Sequence, residues 1–287
     1  MGEVAVIRPF LKWAGGKTRV VPHLRRALDP LDAERLVEPF VGSGAVFLNL
    51  PRFRKLLLAD ANGDLIDLYR AVAYDWDAFM AEVRPLFVPQ NNARAAYLAL
   101  RDEFNAAPAG SIARAARFVY LNRHGFNGLC RYNARGGFNV PFGRYAKPAL
   151  PEAALQAFHA RIQRAEAVRI EHADFRDVFA SMLEAGDVVY ADPPYLPLSA
   201  TASFTAYAAR AFGDAQQQAL VEASRAAASR GVAVVISNHD VARVRELYAG
   251  AELASFPVAR TISCAGGSRA PVKEVTAVFR QRGDRLE

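Results

Sequence analysis

Cysteine is nearly absent: Cys130 and Cys264 are the only two in 287 residues. Two are too few for a disulfide framework, and neither stands in a Cys-x-x-Cys or Cys/His spacing that would hold zinc, so no metal is expected. Long apolar runs are missing too. None approaches the roughly 18 residues of a membrane span, so no membrane partner is expected. Residues 1–8 carry no apolar stretch of the signal-peptide kind, and Val6 occupies the place where N-myristoylation needs Ser or Thr. A cytoplasmic protein is expected. Lysine is scarce, 5 against 31 Arg, and acid is missing from one long stretch. The 48 residues between Glu103 and Glu152 hold no Asp or Glu but carry Arg114, Arg117, Arg123, Arg131, Arg135, Arg144 and Lys147. Formal net charge is +7, from 36 Lys and Arg against 29 Asp and Glu, so those seven cations are the whole excess. A neutral chain with one basic segment suggests a polyanionic partner.

What is present is the material for a core. A composition 52% hydrophobic and 23% charged excludes a disordered, collagen-like or fibrous chain. Short apolar runs at 36–38, 55–59, 168–170, 187–190 and 232–236 read as buried strands. Residues 44–50, 62–74, 175–185, 214–230 and 240–248 read as helices between them. Apolar strands alternating with helices predict a parallel α/β sheet covered on both faces. Residues 252–258 and 274–280 suggest two more strands, antiparallel at one edge. Residues 75–121 have helical periodicity, and 122–150 are rich in Asn, Gly, Arg and aromatics. The middle therefore reads as a helical and then loop or hairpin insertion, 63–159, within an α/β domain made of 1–62 and 160–287.

Val37-Glu38-Pro39-Phe40-Val41-Gly42-Ser43-Gly44 links a strand to a helix, and the next strand ends at Asp60, 18 residues after Gly42. Glycines in such a turn let a ligand approach the backbone, and a carboxylate at the next strand end suits ribose hydroxyls. The full Gly-x-Gly-x-x-Gly pyrophosphate pattern is missing, which favours a nucleoside ligand without pyrophosphate; a purely structural turn is the alternative. Phe10 to Thr18 ends in Gly-Lys-Thr, but it lacks the spaced glycine and the leading strand of a phosphate loop. Trp13 and Lys17 suit a loop closing over a ligand or an ordinary helix start.

Val188-Val189-Tyr190-Ala191-Asp192-Pro193-Pro194-Tyr195 is the most specific signal. A buried strand delivers Asp192 to its C-terminal end, where open α/β sheets bind ligands. The prolines stiffen the backbone and remove two N–H donors, leaving carbonyls to accept from a ligand. An acceptor pair could grip both hydrogens of a nucleobase amino group while Tyr195 stacks on the ring, which suits methylation of that nitrogen.

These residues resemble the Dam-like, D12-class DNA adenine-N6 methyltransferases, from about Phe10 to Phe279. The resemblance is carried by Phe-Leu-Lys-Trp-Ala-Gly-Gly-Lys at 10–17, Glu-Pro-Phe-Val-Gly-Ser-Gly at 38–44 and Ala-Asp-Ala-Asn at 59–62. It continues through Asn-Arg-His-Gly-Phe-Asn-Gly-Leu-Cys-Arg-Tyr-Asn at 122–133, Phe-Asn-Val-Pro-Phe-Gly-Arg-Tyr at 138–145 and Asp-Pro-Pro-Tyr at 192–195. It implies a Rossmann-like methyltransferase sheet with a DNA-recognition insertion, S-adenosyl-L-methionine as cofactor and double-stranded DNA as substrate. The adenine of GATC is flipped out of the duplex, and a monomer is expected. Trp13, Lys17, Phe40, Gly42, Gly44, Asp60, Asp174, Phe175 and Asp192 match cofactor positions, and Asp192, Pro193 and Tyr195 the catalytic motif. Arg131 matches the guanine reader, Leu129 and Pro141 the thymine contacts, Lys12 a lysine near the first guanine, and Asn127 a position near the orphaned thymine. Two positions depart: Phe126 replaces a Tyr that inserts into the duplex, and Gly137 stands where relatives often carry an acid.

Residues 104–151 hold seven cations, five Asn and eight aromatics. Arginine reads guanine, Asn bonds adenine or phosphate, and aromatics fill the gap left by a flipped base. Asn133, Asn139 and Arg144 join the candidate DNA contacts on this ground, whereas Arg114 and Arg117 read as a solvated helix face. His239 reads as structural and Ser199 to Phe212 as a lid over the base. Neither cysteine is near Asp192 in sequence, which argues against a cysteine nucleophile of the cytosine-C5 kind. RNA adenine, cytosine N4 or a protein amide as acceptor, or a silent DNA-binding regulator, are the alternatives.

Overall fold

A computed structural model describes residues 6–196, 212–258 and 272–281. Helix α1 (Val21–Leu28), strand β1 (Arg35–Glu38), α2 (Ala45–Asn49), β2 (Lys55–Asp60) and α3 (Gly63–Tyr74) open the chain. Helices α4 (Trp76–Val83), α5 (Arg94–Ala106), α6 (Ile112–His124) and α7 (Glu152–Gln163) follow, with three short 3-10 turns among them. Then come β3 (Ala167–His172), α8 (Phe175–Ser181), β4 (Val188–Ala191), α9 (Asp214–Ala228), β5 (Ala233–His239), α10 (Ala242–Leu247), β6 (Glu252–Val258) and β7 (Val272–Phe279).

The strands order as β3-β2-β1-β4-β5-β7-β6. Strand β1 runs parallel to β2 and β4, and β4 parallel to β5. Strand β7 runs antiparallel to both β5 and β6, which places the antiparallel pair at one edge as expected. Chain order reverses between β1 and β4, so the crevice beyond their C-terminal ends is where an open α/β sheet takes ligands. Val37, Leu57, Val189 and Val234 are fully buried, which is why these strands are apolar throughout.

Contacts divide the chain into two compact units. One comprises the described parts of Met1–Val21, Val41–Arg54 and Asp60–His172; the other comprises Pro22–Phe40, Lys55–Ala59 and the described parts of Ala173–Glu287.

In the first unit, Phe10, Phe47, Tyr69 and Phe158 form a buried ring cluster with centroids 4.6–5.9 Å apart. Helix α3 starts one residue later than the apolar pattern suggests, because the Asn62 side chain caps it by accepting from the Leu65 N–H. One expectation is corrected here. Arg114 is no solvated side chain: its Nε lies 2.6 Å from Asp64 Oδ1, with both side chains under 15% exposed. Breaking a buried pair costs about 3–5 kcal/mol, so Arg114 is committed to the fold. Arg117 bonds Glu103 at 2.7 Å. Two of the seven excess cations are thus paired with acids outside their own segment.

In the second unit, β1, β2, β4 and β5 enclose a core with α8 and α9 that includes Val178, Phe179, Leu220, Val221 and Ile236. Helix α8 ends at Ser181, short of 185; six residues on, Asp187 takes the Glu184 N–H at 2.7 Å, closing a turn at Gly186, whose φ is +87°.

Candidate functional site

The first unit gathers Trp13, Lys17, Gly42, Gly44 and Asp60. The turn after β1 is left-handed at Gly42 and Gly44, with φ of +47° and +76°. A Cβ on Gly42 would stand 2.9 Å from Trp13 Nε1, so glycine is required both for conformation and for the indole's approach. The Gly42 N–H donates to Asp60 Oδ2 at 3.0 Å and the Asn62 N–H to Oδ1 at 2.9 Å. Burial nevertheless raises the Asp60 pKa above the ordinary carboxylate value. Lys17 is only 7% exposed, its ammonium donating to the Gly15 carbonyl at 3.0 Å.

The second unit gathers Phe40, Asp174, Phe175, Asp192, Pro193 and Tyr195. Phe40, Phe175 and Phe212 face one another with centroids 5.4–5.6 Å apart, an apolar aromatic surface just past β1. Of the stretch read as a lid, only Phe212 lies within the described residues; Ser199 to Ala211 lie outside them, as does Cys264. Asp174 caps α8 through the Arg176 N–H and is exposed. Asp192 follows β4 directly, and Ser237 of β5 donates to its Oδ1 at 2.9 Å. Tyr190, a fully buried phenol, shares a 2.9 Å bond with the same Ser237 hydroxyl. Tyr195 donates to Glu274 Oε2 at 3.0 Å, and its ring meets His239 edge-on at 4.8 Å. The prolines leave the Pro194 carbonyl taken by buried Gln217, at 2.9 Å.

Desolvation lifts the pKa of Tyr190 and Tyr195 well above the ordinary phenol value. Both are neutral at physiological pH, so Tyr195 is no base. Its ring is a fixed flat face, and Asp192 is an oriented acceptor beside it. That pair can grip an amino hydrogen and hold an aromatic ring.

The residues expected to contact DNA also lie in the first unit. Phe126 and Leu129 are large apolar side chains left 48% and 37% exposed. They flank Asn127, which is left-handed at φ +53° and whose N–H donates to the Tyr145 hydroxyl at 2.9 Å. Gly128 must be glycine: a Cβ there would stand 2.3 Å from Lys12 Cβ. The Lys12 ammonium lies 3.8 Å from the Tyr145 ring centroid. Arg131 is exposed, with Nε on Asn139 Oδ1 at 2.8 Å. Asn133 Oδ1 accepts from the Arg135 and Gly137 N–H groups and closes the tip of the 131–139 hairpin. The Pro141 carbonyl accepts from the Phe126 N–H at 2.8 Å, and Arg144 is exposed at φ +53°.

A family model described as D12 class N6 adenine-specific DNA methyltransferase matches residues 13–262. The chain belongs to this family. It is 48% identical over 275 residues to the DNA adenine methylase of Escherichia coli (strain K12), covering 95% of each chain. It is 46% identical over 273 residues to the DNA adenine methylase of Vibrio cholerae, covering 95% of this chain and 96% of the relative. The Salmonella typhi DNA adenine methylase is 47% identical over 274 residues, with 95% of each chain covered.

Sequence reasoning missed three groups in this methyltransferase. Ser237 and Glu274 are polar residues on neighbouring strands, and only the β5–β7 register, with His239 opposite Glu274, brings them beside the Asp-Pro-Pro-Tyr segment. Arg123 is the third. Its Nε is buried with no hydrogen-bond partner among the described residues, and its charge adds to the burial that lowers the pKa of the Lys12 ammonium. Burial lowers the pKa of both cations, disfavouring their charged forms.

If Glu274 works by holding the Tyr195 hydroxyl, Glu274→Ala and Tyr195→Phe should each lower methyl transfer by a similar factor, about tenfold for one hydrogen bond to a charged group. The double variant should be no slower than either single one. Losses that multiply would show that Glu274 acts elsewhere.

Proposed function

We propose that this enzyme transfers a methyl group from S-adenosyl-L-methionine to N6 of an adenine flipped out of double-stranded DNA at GATC. We read it as a cytoplasmic monomer, with 63–159 recognising the target and 1–62 with 160–287 binding the cofactor and performing catalysis. Among the described residues no helix is long and apolar enough to cross a membrane.

The observation that carries this reading is the fixed pair of Asp192 and Tyr195, one held by Ser237 and the other by Glu274. S-adenosyl-L-methionine, when bound, supplies an electrophilic methyl on a sulfonium. The chain offers groups that fit it: a glycine turn no side chain could occupy, a carboxylate for ribose hydroxyls and an aromatic surface for the adenine ring. Asp60 would accept from the ribose, Trp13, Lys17, Gly42 and Gly44 would frame that end, and Phe40, Phe175 and Asp174 would line the adenine. Asp192 and the Pro193 carbonyl would each take one hydrogen of the target amino group, drawing the nitrogen lone pair out of conjugation and stabilising the charge that develops on it. Tyr195 would stack on the flipped base and hold it near attack distance.

On the duplex, Arg131 would read guanine, Leu129 and Pro141 would touch thymine, and Phe126 would fill the gap beside Asn127. Lys12 would approach the first guanine, while Arg144, Asn133, Asn139 and Arg123 would meet the backbone. Plasmid incubated with the enzyme and cofactor should become resistant to an endonuclease blocked by adenine methylation at GATC. Incorporated methyl without such resistance would remove GATC as the target.

Cofactor affinity should carry the signature of Asp60. Only the ionised carboxylate accepts from both ribose hydroxyls, and its pKa is raised. Binding should therefore weaken as pH falls, starting above the pH at which an exposed aspartate titrates. Titration calorimetry should show Asp60→Asn binding weakly with that acid limb gone; an unchanged limb would assign it to another group.

A further inference from the structure

We propose that Tyr132, Asp64 and Asn62 are positioning residues for target reading, and that they couple it to cofactor binding through Asp60. The proposal rests on the roles given above to Arg131 and Asp60.

The hairpin that carries Arg131 is pinned by the residue next to it. Tyr132 pairs antiparallel with Phe138, and the Asn139 N–H donates to the Arg131 carbonyl at 3.1 Å. Adjacent side chains of an extended segment point to opposite faces. Arg131 is therefore exposed while Tyr132 turns inward, its ring 5.7 Å from that of buried Phe138. The Tyr132 hydroxyl donates to Asp64 Oδ2 at 2.6 Å. Asp64 is itself immobile: Arg114 holds it, and Arg114 also donates to the carbonyls of Phe104 and Ala107. One carboxylate in the first turn of α3 thus joins α5, α6 and the hairpin.

Asn62 makes the second connection. Its Nδ2 donates to Cys130 Sγ at 3.3 Å, immediately before Arg131. Its Oδ1 lies 3.5 Å from the Tyr132 hydroxyl and also caps α3. Its backbone N–H donates to Asp60 Oδ1 at 2.9 Å. The turn from β2 to α3 therefore grips the ribose-binding candidate at one end and the reading hairpin at the other. Burial keeps the Cys130 thiol protonated, its pKa pushed up to about 11, and raises that of Tyr132 further still. The donors hold across the working pH range. Fixing Asp60 with a ligand fixes the turn, the turn fixes the hairpin, and by linkage the effect runs equally in reverse.

Tyr132→Phe removes one hydroxyl and keeps the ring against Phe138. Binding is read by fluorescence anisotropy on GATC duplexes and on duplexes with each guanine replaced in turn, with and without S-adenosylhomocysteine. The wild type should discriminate more sharply with that compound present. Tyr132→Phe should cut discrimination about tenfold, the loss expected for a hydrogen bond to a charged acceptor, with kcat on saturating GATC within about twofold. Asn62→Ser keeps an oxygen to cap α3 but loses the amide. It should discriminate the same with or without S-adenosylhomocysteine. Wild-type discrimination in Tyr132→Phe, or an undiminished response to S-adenosylhomocysteine in Asn62→Ser, overturns the proposal. Arg131→Ala, run in parallel, separates the causes. If it loses discrimination while Tyr132→Phe does not, the relay fails and Arg131 remains the reader; if it discriminates like the wild type, the reading role itself fails.

Discussion

Replacing Asp192 with Ala should lower kcat by at least about a thousandfold, the scale of losing an oriented group that acts on charge developing in the transition state. The protein should remain folded and bind DNA, because Asp192 is only half-buried and its removal leaves the Ser237 hydroxyl still bonded to Tyr190. Asp192→Asn is the sharper variant. It preserves shape and one acceptor oxygen but loses the negative charge, so a loss nearly as deep as that of Ala would identify charge as the working feature. Single-turnover methyl transfer with saturating cofactor and DNA separates this from weakened binding. Transfer within tenfold of the wild type in Asp192→Ala would remove Asp192 from the chemistry.

Arg131→Ala should leave the catalytic step intact and damage selection. A bidentate arginine–guanine contact is worth about 1–3 kcal/mol of discrimination, so the ratio of kcat/KM between GATC and guanine-substituted sites should fall roughly 5- to 150-fold. The phosphate contribution should persist. Salt dependence of binding should therefore change little in Arg131→Ala, whereas Arg123→Ala should weaken binding on every sequence and reduce the salt slope by about one. Arg131→Lys should not rescue, since a single ammonium lacks the planar fork that engages two acceptors.

Much of this was legible in the residues, for local reasons. Strands β1, β2, β4 and β5 are buried on both faces, so their apolar runs mark them directly. Asp60 and Asp192 could be picked out because each ends such a run, and Gly42 because a left-handed turn against Trp13 tolerates nothing else. What escaped is what the sheet assembles from distant parts of the chain. Ser237 lies 45 residues from Asp192 and Glu274 lies 79 from Tyr195, and neither stands out within its own strand. Arg114 was misjudged for the same reason. Its helix looks solvated on periodicity alone, while its partner Asp64 comes from 50 residues earlier. Arg114 and Arg117 are paired with acids, which leaves Arg123, Arg131, Arg135, Arg144 and Lys147 of the seven; in the proposed function Arg123, Arg131 and Arg144 would meet DNA together with Lys12 from outside the segment.

Presentation of an adenine amino group by Asp192 and Tyr195 is the step on which the proposed function turns. It is tested most directly by tritiated methyl transfer from S-adenosyl-L-methionine to a duplex with one GATC, followed by hydrolysis and separation of the nucleosides. Label should appear in N6-methyldeoxyadenosine alone, and should be lost when that adenine is replaced and lost again in Asp192→Ala. Label in a cytosine derivative, or adenine methylation that survives Asp192→Ala, would contradict it.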